Sequence, residues 1–188
     1  MIGLIIAGAL VVLIIFWLIG LYNRLVSFRN NRENAFADID VQLRQRNDLI
    51  PQLVSTVKGY AAHEKDVLER ITAARSAVMG ASSINEKIEA DTQLTSALQG
   101  LRIQVEAYPD LKASSNFLQL QEEIADIENK LAAARRYFNS ATRELNTAVE
   151  SFPSNLIAGQ FGFTRQPLYD LGTAQRQAMD EQPPQINF

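Results

Sequence analysis

The chain lacks cysteine and contains one histidine, nine glycines and six prolines in 188 residues. Without cysteine no disulfide can form, and the redox compartment cannot be inferred. A single histidine cannot assemble a zinc site of the common His/Cys kind or a Cys-His nucleophilic pair. The sparse glycine and proline, with no alternating strand pattern and no glycine-rich phosphate loop, indicate long uninterrupted helices.

Charged side chains are missing from the first 23 residues, and residues 2–22 form an unbroken apolar and aromatic run. At ~1.5 Å rise per residue the run spans roughly 31 Å, the thickness of a bilayer's hydrocarbon core. A cleaved signal peptide would have a basic segment before a shorter run. A buried core helix of this length without a polar residue would be unusual in so small a domain. We therefore expect residues 1–23 to be an uncleaved, single-pass transmembrane anchor.

Arginine is concentrated directly after the apolar run, at Arg24, Arg29, Arg32, Arg44 and Arg46. Positive residues favour the cytoplasmic side of a membrane, which predicts that the bulk of the chain is cytoplasmic, with a periplasmic orientation as the alternative. The first three arginines form a predicted collar that meets the headgroups of the lipid bilayer. Because no Lys/Arg stripe interleaved with aromatic residues follows, we expect no nucleic-acid partner.

Residues 24–152 show the periodicity of long helices. Apolar residues recur at spacings of 3 and 4, as in a heptad seam, at eleven positions of the second half: Phe117, Leu120, Ile124, Ile127, Leu131, Ala134, Phe138, Ala141, Leu145, Ala148 and Phe152. The same rhythm links residues of the first half: Phe36, Ile39, Leu43, Ile50, Leu53, Val57 and Tyr60. The sequence predicts an all-α fold in which a transmembrane helix precedes an antiparallel bundle of long helices, with coiled-coil packing.

Two residues interrupt the pattern of the first half. Pro51 should kink its helix without ending it, because the apolar rhythm continues on both sides. Arg46 occupies a seam position, which leaves two interpretations. Its aliphatic stem packs while the guanidinium reaches solvent, or it pairs with a carboxylate and fixes helix register or a subunit contact. The second interpretation makes Arg46 a candidate interaction residue.

The chain changes character after Phe152, where four of the six prolines occur. Residues 153–174 nevertheless keep the apolar side chains Leu156, Ile157, Phe161 and Phe163, which a solvated tail would not retain. We predict that they are interaction residues. Their destination is the chain's own bundle, the bilayer surface or a neighbouring subunit, and we favour the last because tethering in a plane raises effective concentration. Residues 175–188 are predicted to be a disordered end.

Two polar clusters invite a metal-binding interpretation. The first is His63 with Glu64, for which we prefer a polar turn between helices. The second is the acidic group at positions 122, 123 and 126, which would rather form a solvated face, because Asp126 and Lys130 have the spacing of an intrahelical ion pair. We therefore predict no cofactor and no catalytic residue.

Nine stretches resemble the LemA family: YNRLV (22–26), IDVQLRQR (39–46), LIPQLV (49–54), VKGYAAHE (57–64), AYPDLK (107–112), NFLQLQ (116–121), ARRYFN (134–139), FPSN (152–155) and FGF (161–163). Phe36 departs from the pattern, since the family often has Trp there, but an aromatic ring is kept. The resemblance implies a bacterial inner-membrane protein with one N-terminal span, a long-helix bundle and no defined reaction.

The function predicted from these features is that of a non-enzymatic, membrane-tethered helical scaffold. It would self-associate as a homo-oligomer, recruit other membrane proteins, or both. The alternatives are an adaptor for a membrane protease or envelope-stress system, and a metal-binding protein that uses carboxylates.

Overall fold

The computed structural model describes residues 1–61 and 64–169. They form six helices: α1 (Ile2–Tyr60), α2 (Lys65–Gly80), α3 (Ile84–Val105), α4 (Pro109–Lys112), α5 (Ser115–Glu150) and α6 (Ser154–Gln160). Within these described ranges there is no strand, and the predicted all-α fold is confirmed. The antiparallel arrangement of the bundle stays a prediction. The interpretation of His63 and the predicted disordered end lie outside the described residues.

The chain divides into two compact units. Unit 1 comprises Met1–Asp38 and Ala133–Leu168, and unit 2 comprises Ile39–Ala132 and Tyr169–Phe188. Helices α1 and α5 each contribute residues to both units. The apolar segment that follows Phe152 therefore belongs, up to Leu168, to the same unit as the N-terminal apolar run.

Helix α1 changes its burial pattern along its length. Its first large apolar side chains are all exposed, whereas Leu25, Ala35 and Phe36 are buried. The helix continues through Pro51 to Tyr60, so Pro51 lies in a helix and not in a loop, as predicted. Burial of seam residues on both sides of the proline supports this continuity, because packing offsets the hydrogen bond that proline removes. The kink at Pro51 stays a prediction.

The predicted heptad seam is almost entirely realised in α5. Ten of its eleven residues are buried or half-buried. The exception is Phe152, which is 80% exposed. Its assignment to the seam was wrong because α5 ends at Glu150, and beyond a helix end the spacing of 3 and 4 no longer returns a residue to the same face.

Helices α2 and α3 pack against each other and are joined by a short connection. Ser83 forms a capping box at the start of α3: its side chain accepts a hydrogen bond from the Glu86 backbone N–H, and the Glu86 carboxylate accepts one from the Ser83 backbone N–H. Hydrogen bonds from the Ser82 and Ser83 backbone lower the pKa of the Glu86 carboxyl. Such a cap satisfies N–H groups that a helix start otherwise leaves without partners.

Candidate functional site

A buried ionic cluster lies in the core of unit 2. The guanidinium of Arg46 on α1 pairs with Asp91 on α3 and with Glu128 on α5, and it donates a hydrogen bond of 3.3 Å to Thr95. The other carboxylate oxygen of Asp91 accepts a hydrogen bond from the hydroxyl of Tyr169. Of the two interpretations of Arg46, the structure shows pairing with carboxylates, so the guanidinium does not reach solvent. A contact of Arg46 with another subunit stays a prediction.

The partners of Arg46 were missed, although the sequence holds a signal for one of them. The apolar stripe of α3 includes Ile88 and Leu94, and Asp91 stands between them at helical spacing. Two polar breaks of opposite charge in two apolar stripes predict an ion pair, because an unpaired buried charge is strongly unfavourable. Glu128 and Tyr169 have no comparable signal. The cluster connects α1, α3 and α5 and suits a structural role that fixes helix register.

A second ionic cluster lies at the partly exposed edge of unit 2. Asp40 pairs with Lys87 and with Arg44, whose guanidinium is 2.8 Å from the carboxylate. Burial by itself raises the pKa of the Asp40 carboxyl, but the hydrogen bonds and charges of Lys87 and Arg44 outweigh it. The pKa is therefore held below its ordinary value.

The arginines of the predicted lipid collar have different surroundings. Arg24 and Arg29 are exposed, and their guanidinium carbons lie 5.4 and 5.3 Å from the ring centroids of Phe28 and Phe163. Arg32 is 6% exposed and donates a hydrogen bond of 3.2 Å to Thr142. Burial lowers the pKa of Arg32, against the raising effect of the nearby Glu33 charge. The collar assignment is wrong for Arg32, because net sequence charge does not reveal which side chains face inward.

The predicted interaction residues after Phe152 divide into two groups. Phe163 is buried with Leu25 and Ala158, and Ile157 packs against this cluster. Leu156 and Phe161 are 66% and 59% exposed. Phe163 and Ile157 thus pack within unit 1. Leu156 and Phe161 present apolar surface to solvent.

The segment is held in place by specific contacts within unit 1. The ring centroid of Phe161 lies 4.9 Å from that of Tyr22, the last residue of the apolar run. The side chain of Asn146 exchanges two hydrogen bonds of 2.8 Å with the backbone of Gln166. Gly162 has a φ of 72°, which a side chain would strain. Phe161 is therefore fixed beside the end of the run.

Unit 2 contains an open groove of about 890 Å³ between α3, α5 and Leu53 of α1. Its lining includes the apolar residues Leu98 and Phe117, and Thr95 and Glu128 connect it to the Arg46 cluster. The groove is a feature that the sequence periodicity did not predict, because periodicity identifies buried faces and not the gaps between them.

The described members of the two polar clusters considered for metal binding are paired or solvated. Asp126 and Lys130 form an exposed ion pair of 2.7 Å, as their spacing predicts. Glu64 accepts a hydrogen bond of 2.9 Å from the hydroxyl of Tyr108, which raises the pKa of that hydroxyl. Over residues 1–61 and 64–169, no group of three or more His, Cys, Asp or Glu residues has the proximity needed to hold a metal ion.

Among the residues that the structure describes, only helix α1 contains a stretch long and apolar enough to cross a membrane. The side chains of that stretch are not buried inside the protein. The fold thus defines an α-helical protein with one candidate membrane span at its N-terminus.

The family model of the LemA family matches residues 35–188, so the chain belongs to the LemA family. It is 26% identical over 163 residues to Protein LemA of Metamycoplasma hominis, covering 86% of this chain and 74% of that protein. It is 22% identical over 171 residues to Magnetosome protein MamQ of Magnetospirillum gryphiswaldense, covering 77% of this chain and 62% of that protein. Magnetosome protein MamQ 2 of Paramagnetospirillum magneticum matches over the same shares. The resemblance stated from the sequence is confirmed.

Proposed function

We propose that this chain is a membrane-tethered helical scaffold that self-associates at the bacterial inner membrane and carries out no reaction of its own. Its N-terminal run crosses the bilayer once, and the remainder lies on the cytoplasmic side, as the arginines after the run favour. Relatives named as magnetosome proteins support a role within a larger assembly.

The observation that carries the proposal is the change of burial within α1. The large side chains before residue 20 are exposed, and from Leu25 onward the same helix contributes to a packed core. Exposed apolar surface on that scale requires an apolar environment, which a bilayer supplies. Because no break separates the two parts of the helix, the tether continues directly into the folded body.

Self-association is supported by two exposed apolar residues that follow α5 in unit 1, of which Phe161 contacts the end of the tether at Tyr22. Leu156 and Phe161 are held on and after a short helix whose other side is packed in unit 1. Burying each side chain can contribute ~1.5–3 kcal/mol. Copies tethered in one membrane meet at high effective concentration, so weak apolar contacts of this size suffice for assembly.

The absence of cysteine allows a direct test. The single substitution Leu156→Cys in full-length protein introduces the only thiol, so a disulfide between two copies reports contact at that residue. Oxidation of intact membranes should convert the Leu156→Cys chain to a covalent dimer. The matched control is Tyr137→Cys on α5, which replaces a side chain that is 58% exposed. It should give little dimer.

Equal dimer yields at the two positions, or none at position 156, would overturn self-association through this segment. A covalent product at position 156 with a different membrane protein, in place of the dimer, would favour the adaptor alternative. The tether has its own test, since the full-length chain must stay in the membrane pellet after a carbonate wash.

A further inference from the structure

A groove of about 530 Å³ lies in unit 1 at the end of the apolar run. Leu21 and Phe28 of α1 contribute apolar side chains to it, and Phe152 contributes another from the segment after α5. Leu21 is the penultimate residue of the run. If the run crosses the bilayer, as the proposed function on which this inference rests requires, the groove opens at the level of the lipid headgroups.

Two arginines line this groove from different helices, Arg24 from α1 and Arg143 from α5. Both are exposed, and neither forms an ion pair with any residue in the described ranges. The guanidinium carbon of Arg24 lies 5.4 Å from the centroid of the Phe28 ring, a contact that takes up no N–H group in a hydrogen bond. By contrast Arg32 and Arg46 are buried with their acceptors. The groove thus holds two guanidinium groups whose hydrogen-bonding capacity remains available.

The polar part of the groove also contains Glu144 and the hydroxyl-bearing residue Thr147. With two arginines and one glutamate its formal charge is +1, so a ligand with a single net negative charge complements it. Guanidinium groups recognise phosphate oxygens through paired, charge-assisted hydrogen bonds. The apolar side formed by Leu21, Phe28 and Phe152 suits a hydrocarbon chain, and an exposed Phe is most favourable where that chain covers it.

We propose that this groove is a binding site for an anionic phospholipid. The headgroup phosphate lies between Arg24 and Arg143, and an acyl chain runs along the apolar side towards the transmembrane segment. The site would then set the depth and the lipid surroundings of the tether, which a loose collar of surface charges does not do.

The test is native mass spectrometry of the full-length chain in a mild detergent, titrated with phosphatidylglycerol or phosphatidylethanolamine. The wild type should bind the first phosphatidylglycerol about tenfold more tightly than phosphatidylethanolamine, because both lipids present a phosphate to the arginines but only phosphatidylethanolamine adds an ammonium group that the two guanidinium groups repel. The double variant Arg24→Gln/Arg143→Gln should lose this preference. Arg136→Gln is the matched control, because Arg136 is an exposed arginine one heptad earlier on α5 that does not line the groove, and it should keep the preference.

Equal affinity of the wild type for the two lipids, or an unchanged preference in the double variant, would overturn the proposal. A third arm adds inorganic phosphate in millimolar excess. Retention of the bound phosphatidylglycerol supports a lipid site, whereas its complete displacement would show that the groove reads phosphate alone and would contradict a lipid site. The carbonate wash separates failure of the tether from failure of the groove proposal. A chain that stays in the membrane but shows no lipid preference refutes the groove proposal only.

Discussion

Arg46 and Asp91 form an ion pair in which neither side chain has any exposure to solvent. The pair joins α1 to α3, and Glu128, Thr95 and the hydroxyl of Tyr169 add further contacts, whereas the Nε of Arg46 is buried without a hydrogen-bond partner among the described residues. Desolvation of two charges is costly, so such a pair is stabilising only when its remaining donors and acceptors are also satisfied. The cluster fixes the register of α1 against α3, because a shift of either helix would leave Arg46 or Asp91 buried without its partner.

Removing one member of this pair should destabilise unit 2 strongly. Asp91→Asn leaves the Arg46 charge short of its main partner, and we expect the free energy of unfolding to fall by ~3–5 kcal/mol. Asp126→Asn makes the same substitution in the exposed ion pair with Lys130 and should cost less than ~1 kcal/mol. Urea unfolding of the full-length chain in a mild detergent, followed by circular dichroism, measures both. Equal losses for the two variants would show that burial does not set the importance of the Arg46 cluster.

Two phenylalanines two residues apart should behave differently. Phe163 is 9% exposed and Phe161 is 59% exposed. Phe163→Ala should therefore lower stability by ~3–5 kcal/mol, as expected for a large-to-small change in a packed cluster. Phe161→Ala should leave the thermal melt of the protein nearly unchanged but reduce the mass of the assembled particle. A large loss of stability in Phe161→Ala with no change of mass would place this residue in the core and not in an interface.

The seam of α5 should not tolerate a charge at its centre. Leu131 has no exposure, and Leu131→Asp would bury a carboxylate without a partner. The expected loss is several kcal/mol, a large part of the ~5–15 kcal/mol that keeps a typical domain folded. Asn129→Asp introduces the same charge at an exposed position two residues away and serves as the control. Similar melting temperatures for the two variants would mean that the seam is not the core of the protein.

The Asp40 cluster predicts an acid-sensitive contribution to stability. Because the folded-state pKa of Asp40 lies below its ordinary value of about 3.9, the ionised carboxylate stabilises the folded chain at higher pH. This contribution is lost as the pH falls through the folded-state value. Asp40→Asn should therefore be less stable than the wild type at pH 7, by up to ~1 kcal/mol for a partly exposed pair, and the difference should shrink below about pH 4. If the stability difference between the wild type and Asp40→Asn stays constant from pH 7 to pH 2, the ionised Asp40 carboxylate is not its cause.

The spacing of apolar residues along the sequence was sufficient to predict the helices and most of their buried faces. The spacing that includes Leu131 and Phe138 identified the buried face of α5, and the continuous rhythm around Pro51 predicted a helix there. Periodicity failed at Phe152 because it does not detect where a helix ends. Arg32 was misassigned because the count of arginines after an apolar run does not show which of them face inward.

The candidate sites depend on contacts between residues that are far apart in the sequence. Arg46 was recognisable as a polar break in an apolar stripe, and Asp91 carried the matching break in another. Arg143 had no such signal, since an exposed arginine on an amphipathic helix looks like any other solvated residue. Only the approach of α5 to α1 within unit 1 brings it to the same groove as Arg24.

The most direct test of a membrane-tethered, self-associating scaffold is the mass of the particle that carries the full-length chain, extracted with its surrounding lipid into polymer-bounded nanodiscs. Mass photometry, corrected for the lipid and polymer content of each disc, should give a protein mass that is a multiple of 21.0 kDa. The double variant Leu156→Ser/Phe161→Ser should shift the distribution towards a single chain. A wild-type protein that is recovered without lipid, or that has the protein mass of one chain, would contradict the account.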